Sequence, residues 1–171
     1  MYKCIAILLM FSCCSIIGLF QSGQLMRRKK LLLQYRDLLQ KLDTEMGYFK
    51  EPLPLIFQRL QTADNEPVDI LLRQCLLQMR DSSASISELW GKAVESAYEN
   101  EPLKTDDIAV FSKCGAFLGQ SDFQSQKGHF TLLQGELEKQ IREAEENIRT
   151  KGSLYSKAGF SIGAVIAIAL L

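Results

Sequence analysis

The chain has 171 residues, which is room for one modest domain and two membrane segments. Its 20 Lys and Arg residues equal its 20 Asp and Glu residues, so no global positive field exists to recruit nucleic acid or membrane. The five cysteines show neither a CxxC pair nor a metal-ligand spacing. We therefore expect buried thiols in a reducing compartment, and neither a disulfide framework nor a metal site.

An apolar segment opens the chain. Residues 4–26 carry no charge, and this stretch is long enough to cross a hydrocarbon core of about 30 Å. Only Lys3 precedes it, whereas four basic residues follow it, and an excess of basic residues marks the cytoplasmic side of a membrane segment. We predict a retained transmembrane segment over residues 4–26, with its cytoplasmic side set by Arg27, Arg28, Lys29 and Lys30.

Two other interpretations of this segment stay open. A cleaved signal peptide normally has more positive charge before its apolar run and small residues at its exit. A lipoprotein anchored at Cys13 would have Met10-Phe11-Ser12 before the cysteine, and bulky Phe11 then occupies a position that favours small residues. The lipoprotein interpretation places the rest of the chain on the opposite side of the membrane.

The patterns over residues 27–153 are all helical, with apolar residues at steps of three, four and seven. A stripe from Leu31 to Phe49 continues directly out of the first membrane segment, and Pro52 and Pro54 end it. A short helix with Leu55, Ile56 and Leu60 inward is expected next. Further helices are predicted from Pro67, from Ser85, which has capping-box spacing with Glu88, and from Thr105.

The longest soluble helix is predicted after Gly119-Gln120-Ser121-Asp122, which breaks one helix and caps the next. Its apolar stripe runs from Phe123 to Ile148, and no proline separates it from a second apolar segment over residues 154–171. We predict that this segment crosses the membrane, where Gly159 and Gly163 form a small-xxx-small face for another helix. A monotopic or re-entrant tail is the alternative. Alternating β-branched runs are absent. The sequence thus predicts an all-α protein: an antiparallel bundle of about six helices, residues 27–153, between two transmembrane segments.

Several short motifs resemble the stage III sporulation protein AB family. They are Leu118-Gly119-Gln120-Ser121-Asp122, then Gln126, His129, Leu133 and Leu137-Glu138, and the closing apolar tail with Gly159 and Gly163. The similarity extends upstream to Glu45, Tyr48 and Pro52-Leu53, and so covers most of the chain. Each motif is short, and their order and spacing, together with the two apolar ends, carry the resemblance.

The resemblance implies a role and partners. Proteins of this family are made in the mother cell of endospore-forming bacteria, where they help to build a channel or secretion-like complex towards the forespore. Their bundle is similar to the cytoplasmic domains of type II secretion F proteins. The implied partners are an ATPase, stage III sporulation protein AA, and other membrane proteins of the complex. The implied location is the outer forespore membrane, with the bundle in the mother-cell cytoplasm.

A catalytic alternative rests on His129, the only histidine. With Asp122 and Gln126 it shares one edge of a predicted helix, and a membrane-tethered hydrolase using His129 and Asp122 is the competing hypothesis. No nucleophile or Gly-rich loop completes such a site, and no GxxxxGK[ST] motif indicates ATP hydrolysis. We therefore expect no enzyme activity, cofactor, metal or small-molecule substrate, and assign Asp122, Gln126 and His129 structural roles at helix ends.

Overall fold

The computed structural model describes residues 2–49, 51–62, 64–81, 84–118 and 123–152. Within these ranges the chain forms six α-helices, a 3-10 turn and a π-helical turn, and no β-strand. The helices are α1 (Tyr2–Phe49), α2 (Leu53–Leu60), α3 (Pro67–Asp81), α4 (Ile86–Tyr98), α5 (Thr105–Lys113) and α6 (Phe123–Asn147). The prediction of an all-α bundle of about six helices is confirmed.

The chain divides into two compact units. One comprises Met1–Lys29 and Arg142–Leu171, and the other comprises Lys30–Ile141. Helices α1 and α6 contribute residues to both, whereas α2 to α5 lie entirely within the second unit. There, α3 packs against α2 and α4, and α4 packs against α5 and the 3-10 turn that follows it.

Helix α1 runs for 48 residues without a break, as its apolar pattern predicts. The prolines that follow explain where α2 starts. Pro52 is the N-cap residue of α2, and its carbonyl oxygen accepts from the Leu55 amide at 2.9 Å. Pro54 lies in the first turn, where its missing N–H group costs no intrahelical hydrogen bond.

Local side-chain contacts set the turns between the middle helices. Asp69, in the first turn of α3, accepts from the backbone amide of Thr62 at 2.7 Å and from its hydroxyl at 2.9 Å. Asn65 adopts a left-handed conformation with φ of 51°, which asparagine tolerates better than most residues. These contacts close the α2–α3 turn, which we define as residues 61–62 and 64–66, against the start of α3.

Hydrogen bonds cap the N-termini of helices α4 and α5. The Ser85 side chain accepts from the Glu88 amide at 3.3 Å, which confirms the predicted cap. At α5, the Asp107 carboxylate accepts from the Lys104 amide at 2.9 Å. Asp107 is completely buried, so this hydrogen bond also offsets part of the cost of removing a carboxylate from water.

The centre of the second unit is built around one backbone carbonyl. The Phe111 oxygen accepts from the Tyr35 hydroxyl at 2.7 Å and from the Trp90 ring N–H at 3.0 Å. The Tyr35 and Phe111 rings also stack, with centroids 3.8 Å apart. Helices α1, α4 and α5 are therefore joined by two buried hydrogen bonds to one acceptor, and each bond also satisfies a polar group on a buried aromatic side chain.

Most of the predicted core is confirmed. The apolar face of α4 is buried, and so are the middle members of the predicted α6 stripe. Leu55 is a wrong prediction, because it is 49% exposed and Phe57 is buried in its place. An eight-residue helix fits more than one inward face, and the pairing of Phe57 with Trp90, with ring centroids 5.8 Å apart, fixes this one.

The approach of Trp90 to the 3-10 turn Cys114–Ala116 requires a glycine. A Cβ atom at Gly115 would lie 2.7 Å from the Trp90 Cβ atom, closer than two such atoms normally come. Gly91, the next residue along α4 from Trp90, has no such neighbour within 4 Å. The two glycines therefore form a matched pair for substitution.

We expect Gly115→Ala to lower the free energy of unfolding by about 1–3 kcal/mol, because Trp90 must shift within a packed core. Gly91→Ala is expected to leave stability unchanged or raise it by up to about 1 kcal/mol, since alanine favours a helix interior. Denaturant unfolding of the two variants measures both effects. Equal stabilities for the two variants would contradict the packing described here.

Candidate functional site

The described part of α1 between residues 16 and 26 exposes large apolar side chains. Ile16, Ile17, Leu19, Phe20 and Met26 are each 62–64% exposed. The first four fall within about 160° of one another around the helix axis, at about 100° per residue. Gly18, which points the opposite way, is buried. One side of this segment is thus covered by protein, and its apolar side is not.

The covered side of α1 meets the end of α6. The Ser22 hydroxyl oxygen lies 3.7 Å from the position that a Cβ atom would occupy at Gly152, and Gly152 is buried. Gly152 closes a π-helical turn, Ile148–Gly152, that directly follows α6. Small residues on both helices permit this close approach within the first unit.

The basic cluster at residues 27–30 is engaged in ion pairs. Arg28 is 4% exposed, and its guanidinium lies 3.6 Å from the Glu143 carboxylate. Lys29 pairs with Glu145 at 2.9 Å. Arg27 is half-buried. In the second unit, Lys30 pairs with Glu66 at 2.6 Å. The basic cluster, which the sequence predicts to set the membrane topology, therefore also forms ion pairs that join α1 to α6 and to the α2–α3 turn.

Among the residues that the structure describes, no helix is both long enough and apolar enough to cross a membrane. The predicted C-terminal segment, residues 154–171 with Gly159 and Gly163, lies outside the described residues. The side chains of residues 2–15 are likewise not described. The segments 4–26, 27–153 and 154–171 therefore stay predictions, as does the lipoprotein site at Cys13.

Two of the residues that carry the family resemblance lie at the junction of α1 and α2. Glu45 forms an ion pair with Arg59, whose other terminal nitrogen lies 2.5 Å from the Glu51 carboxylate. These two carboxylates raise the pKa of Arg59. Pro52 follows Glu51 directly and starts α2. Glu45 and Pro52 thus have structural roles here, while the side chain of Tyr48 is not described.

His129 lies on α6 with its ring stacked against Phe117. The ring centroids are 4.1 Å apart and the ring planes differ by 8°. Gly119, Ser121 and Asp122 lie outside the described residues, and the side chain of Gln126 is not described. The predicted grouping of Asp122, Gln126 and His129 on one edge of the helix therefore stays a prediction. A search of the described residues finds no cluster of three acidic, histidine or cysteine side chains that could hold a metal.

Two buried cysteines offer no reactive thiolate. Cys75 and Cys114 are both free and completely buried. Burial raises the pKa of each thiol to about 12, so both stay protonated at neutral pH. These two agree with the predicted role of buried, reduced thiols.

Sequence reasoning missed a cleft in the second unit. It has a volume of about 160 Å³ and lies between α1 and the α2–α3 turn. Its lining includes one lysine and four carboxylates, which are Asp37, Asp64, Glu66 and Asp69. Residues about 30 positions apart in the sequence meet here only through the fold, so no local motif indicates the cleft.

The sequence model of the family described as stage III sporulation protein AB matches residues 3–171. The chain belongs to the stage III sporulation protein AB family. A member of that family from Bacillus subtilis strain 168 is 26% identical over 144 residues, which are 84% of each chain. The family is one of sporulation proteins, and the resemblance seen in the motifs is confirmed.

The fold comparison agrees with this assignment. A solved structure of stage III sporulation protein AB superposes with a TM-score of 0.64 and 29% sequence identity. The match covers 71% of this chain and 96% of the solved one. The helical bundle described above is therefore the fold of a stage III sporulation protein AB.

The stacking of His129 gives a test of the catalytic hypothesis. His129→Phe keeps an aromatic ring against Phe117, whereas His129→Gln removes it and is expected to lower the free energy of unfolding by about 0.5–1.5 kcal/mol. A structural histidine predicts that both variants sporulate normally once the protein is stable. Thermal denaturation and spore counts measure the two effects. Loss of sporulation in a stable His129→Phe variant would instead indicate imidazole chemistry.

Proposed function

We propose that this protein is a membrane-anchored assembly component of the channel or secretion-like complex between mother cell and forespore. Its helical bundle lies in the mother-cell cytoplasm and forms a docking platform for a partner ATPase, stage III sporulation protein AA. The partner and the location come from the family resemblance. Membership of a sporulation family supports the general role.

The uncovered apolar face of α1 carries the proposal. Four large apolar side chains within five residues are more than 60% exposed, and in a protein that stays in water such a face is unfavourable. The face belongs to the predicted segment 4–26, so lipid is the simplest environment for it. On the opposite side Gly18 is buried and Ser22 approaches Gly152 at the end of α6, so only the apolar face is left for the membrane.

The rest of the described chain supports a non-catalytic role. The two buried thiols are protonated, and the only histidine is stacked on Phe117. A protein that binds other proteins needs an exposed surface on a stable fold. The hydrogen bonds from Tyr35 and Trp90 to the Phe111 carbonyl stabilise this fold. We therefore favour assembly over hydrolysis.

The direct test uses the full-length chain in lipid nanodiscs and purified stage III sporulation protein AA. We expect saturable binding with a Kd in the micromolar range or tighter, as is common for transient protein–protein contacts. A Kd of 1 μM corresponds to a binding free energy of about −8 kcal/mol. Sedimentation velocity with labelled ATPase measures it, with empty nanodiscs as the control. A failure to bind at any concentration up to about 100 μM (about −5.5 kcal/mol) would remove the ATPase from the proposal.

A further inference from the structure

We propose that the cleft between α1 and the α2–α3 turn receives an arginine side chain from a partner protein. The inference rests on the proposed function, because it gives the docking platform a defined binding surface.

The cleft has an apolar base and a polar rim. Leu38 is 3% exposed, and Leu60 and Val68 are half-buried. The carboxylates of Asp37 and Asp64 lie among the exposed residues of the lining. An aliphatic stem that ends in a cation matches this arrangement, since arginine buries its methylene groups and keeps its charged end at the surface.

The charge of the lining favours a cation. Four carboxylates against one lysine give a net charge of −3 for the lining residues. Two of these carboxylates already have partners, since Glu66 pairs with Lys30 and Asp69 accepts from Thr62. Asp37 and Asp64 remain at the rim, and the contact of Asp37 with its neighbour Arg36 is long, at 3.5 Å.

Rotation of the Gln34 side chain would bring a further hydrogen-bond acceptor to the cleft. The side-chain oxygen of Gln34, which lines the cleft, is buried and has no hydrogen-bond partner within the described chain. A buried acceptor without a donor is unfavourable by about 1–3 kcal/mol. An incoming group that brings several donors relieves this cost, and the arginine guanidinium has five N–H donors in a fixed plane.

The size of the cleft decides between a side chain and a small molecule. Pockets for drug-sized ligands measure roughly 300–1,000 Å³, and this cleft is about 160 Å³. One long side chain fits it, and arginine is favoured over lysine because a planar guanidinium can reach two carboxylates at once. A second, open depression shares Asp37 and Lys41 with the cleft and extends along α1 to Glu45. It offers a surface for the rest of the bound segment.

The test is an amide NMR titration of the full-length protein in nanodiscs with the peptide acetyl-Leu-Ala-Arg-Ala-Leu-amide. We expect saturable shifts at the amides of Gln34, Asp37 and Thr62. The same peptide with citrulline, which is neutral but similar in shape, should bind about tenfold more weakly or not at all. Combining Asp37→Asn with Asp64→Asn should weaken arginine-peptide binding by about tenfold, while Glu95→Gln, an exposed change on α4, should not.

Three results would overturn the inference: equal affinity for both peptides, unchanged affinity in the double variant, or shifts confined to other surfaces. Thermal denaturation of the double variant excludes unfolding as the cause of weaker binding. The ATPase experiment is independent of this one. If the peptide binds as expected but the ATPase does not bind, the cleft stands and the proposed partner falls. If the ATPase binds but the cleft fails these tests, the platform stands without this surface.

Discussion

The burial of Arg28 constrains the first unit of the protein more than any other single interaction. A guanidinium that is 4% exposed requires a nearby carboxylate, because an unpaired buried charge is strongly unfavourable. Glu143 on α6 supplies it, and Glu145 meets Lys29 one residue further along α1. Gly152 then comes close to Ser22. The end of α6 must therefore lie beside α1 within this unit, and large side chains at the point of closest approach would prevent it.

Because the end of α6 lies beside α1, the two sides of α1 have different surroundings. Small residues face α6, and Ile16, Leu19 and Phe20 face away from it. The chain belongs to a sporulation family, and an apolar surface and a folded body on one chain are what the proposed membrane-anchored assembly role requires. In the second unit, the body is held by the Phe111 carbonyl, which joins α1, α4 and α5, and its surface includes an acidic cleft.

Features that depend on neighbours in sequence were predictable, and features that depend on the fold were not. Pro52, Pro54 and the Ser85 cap act locally, and the structure places helix starts at or next to them. Leu55 is wrongly predicted to face inward, because eight residues define a helical phase poorly. The inward face of α2 depends on Trp90 of α4, which follows Phe57 by 33 positions in the chain. The ion pair of Arg28 with Glu143 and the cleft join residues far apart in sequence, so no motif indicates them. For this reason the sequence of the basic cluster indicates only the membrane topology and not these ion pairs.

The central claim is that an apolar end anchors this body on the cytoplasmic face of a membrane, and a thiol-accessibility measurement tests it most directly. Ser87 is exposed on α4, so Ser87→Cys offers a reactive site, while Cys75 and Cys114 are buried and protonated. Cys4, Cys13 and Cys14 are also present, so the unsubstituted chain is the control. A membrane-impermeant maleimide should label the variant above this control in inverted membrane vesicles and not in intact cells, with the protein remaining in the membrane fraction. Labelling in intact cells, or recovery of the protein from the soluble fraction without detergent, would contradict the account.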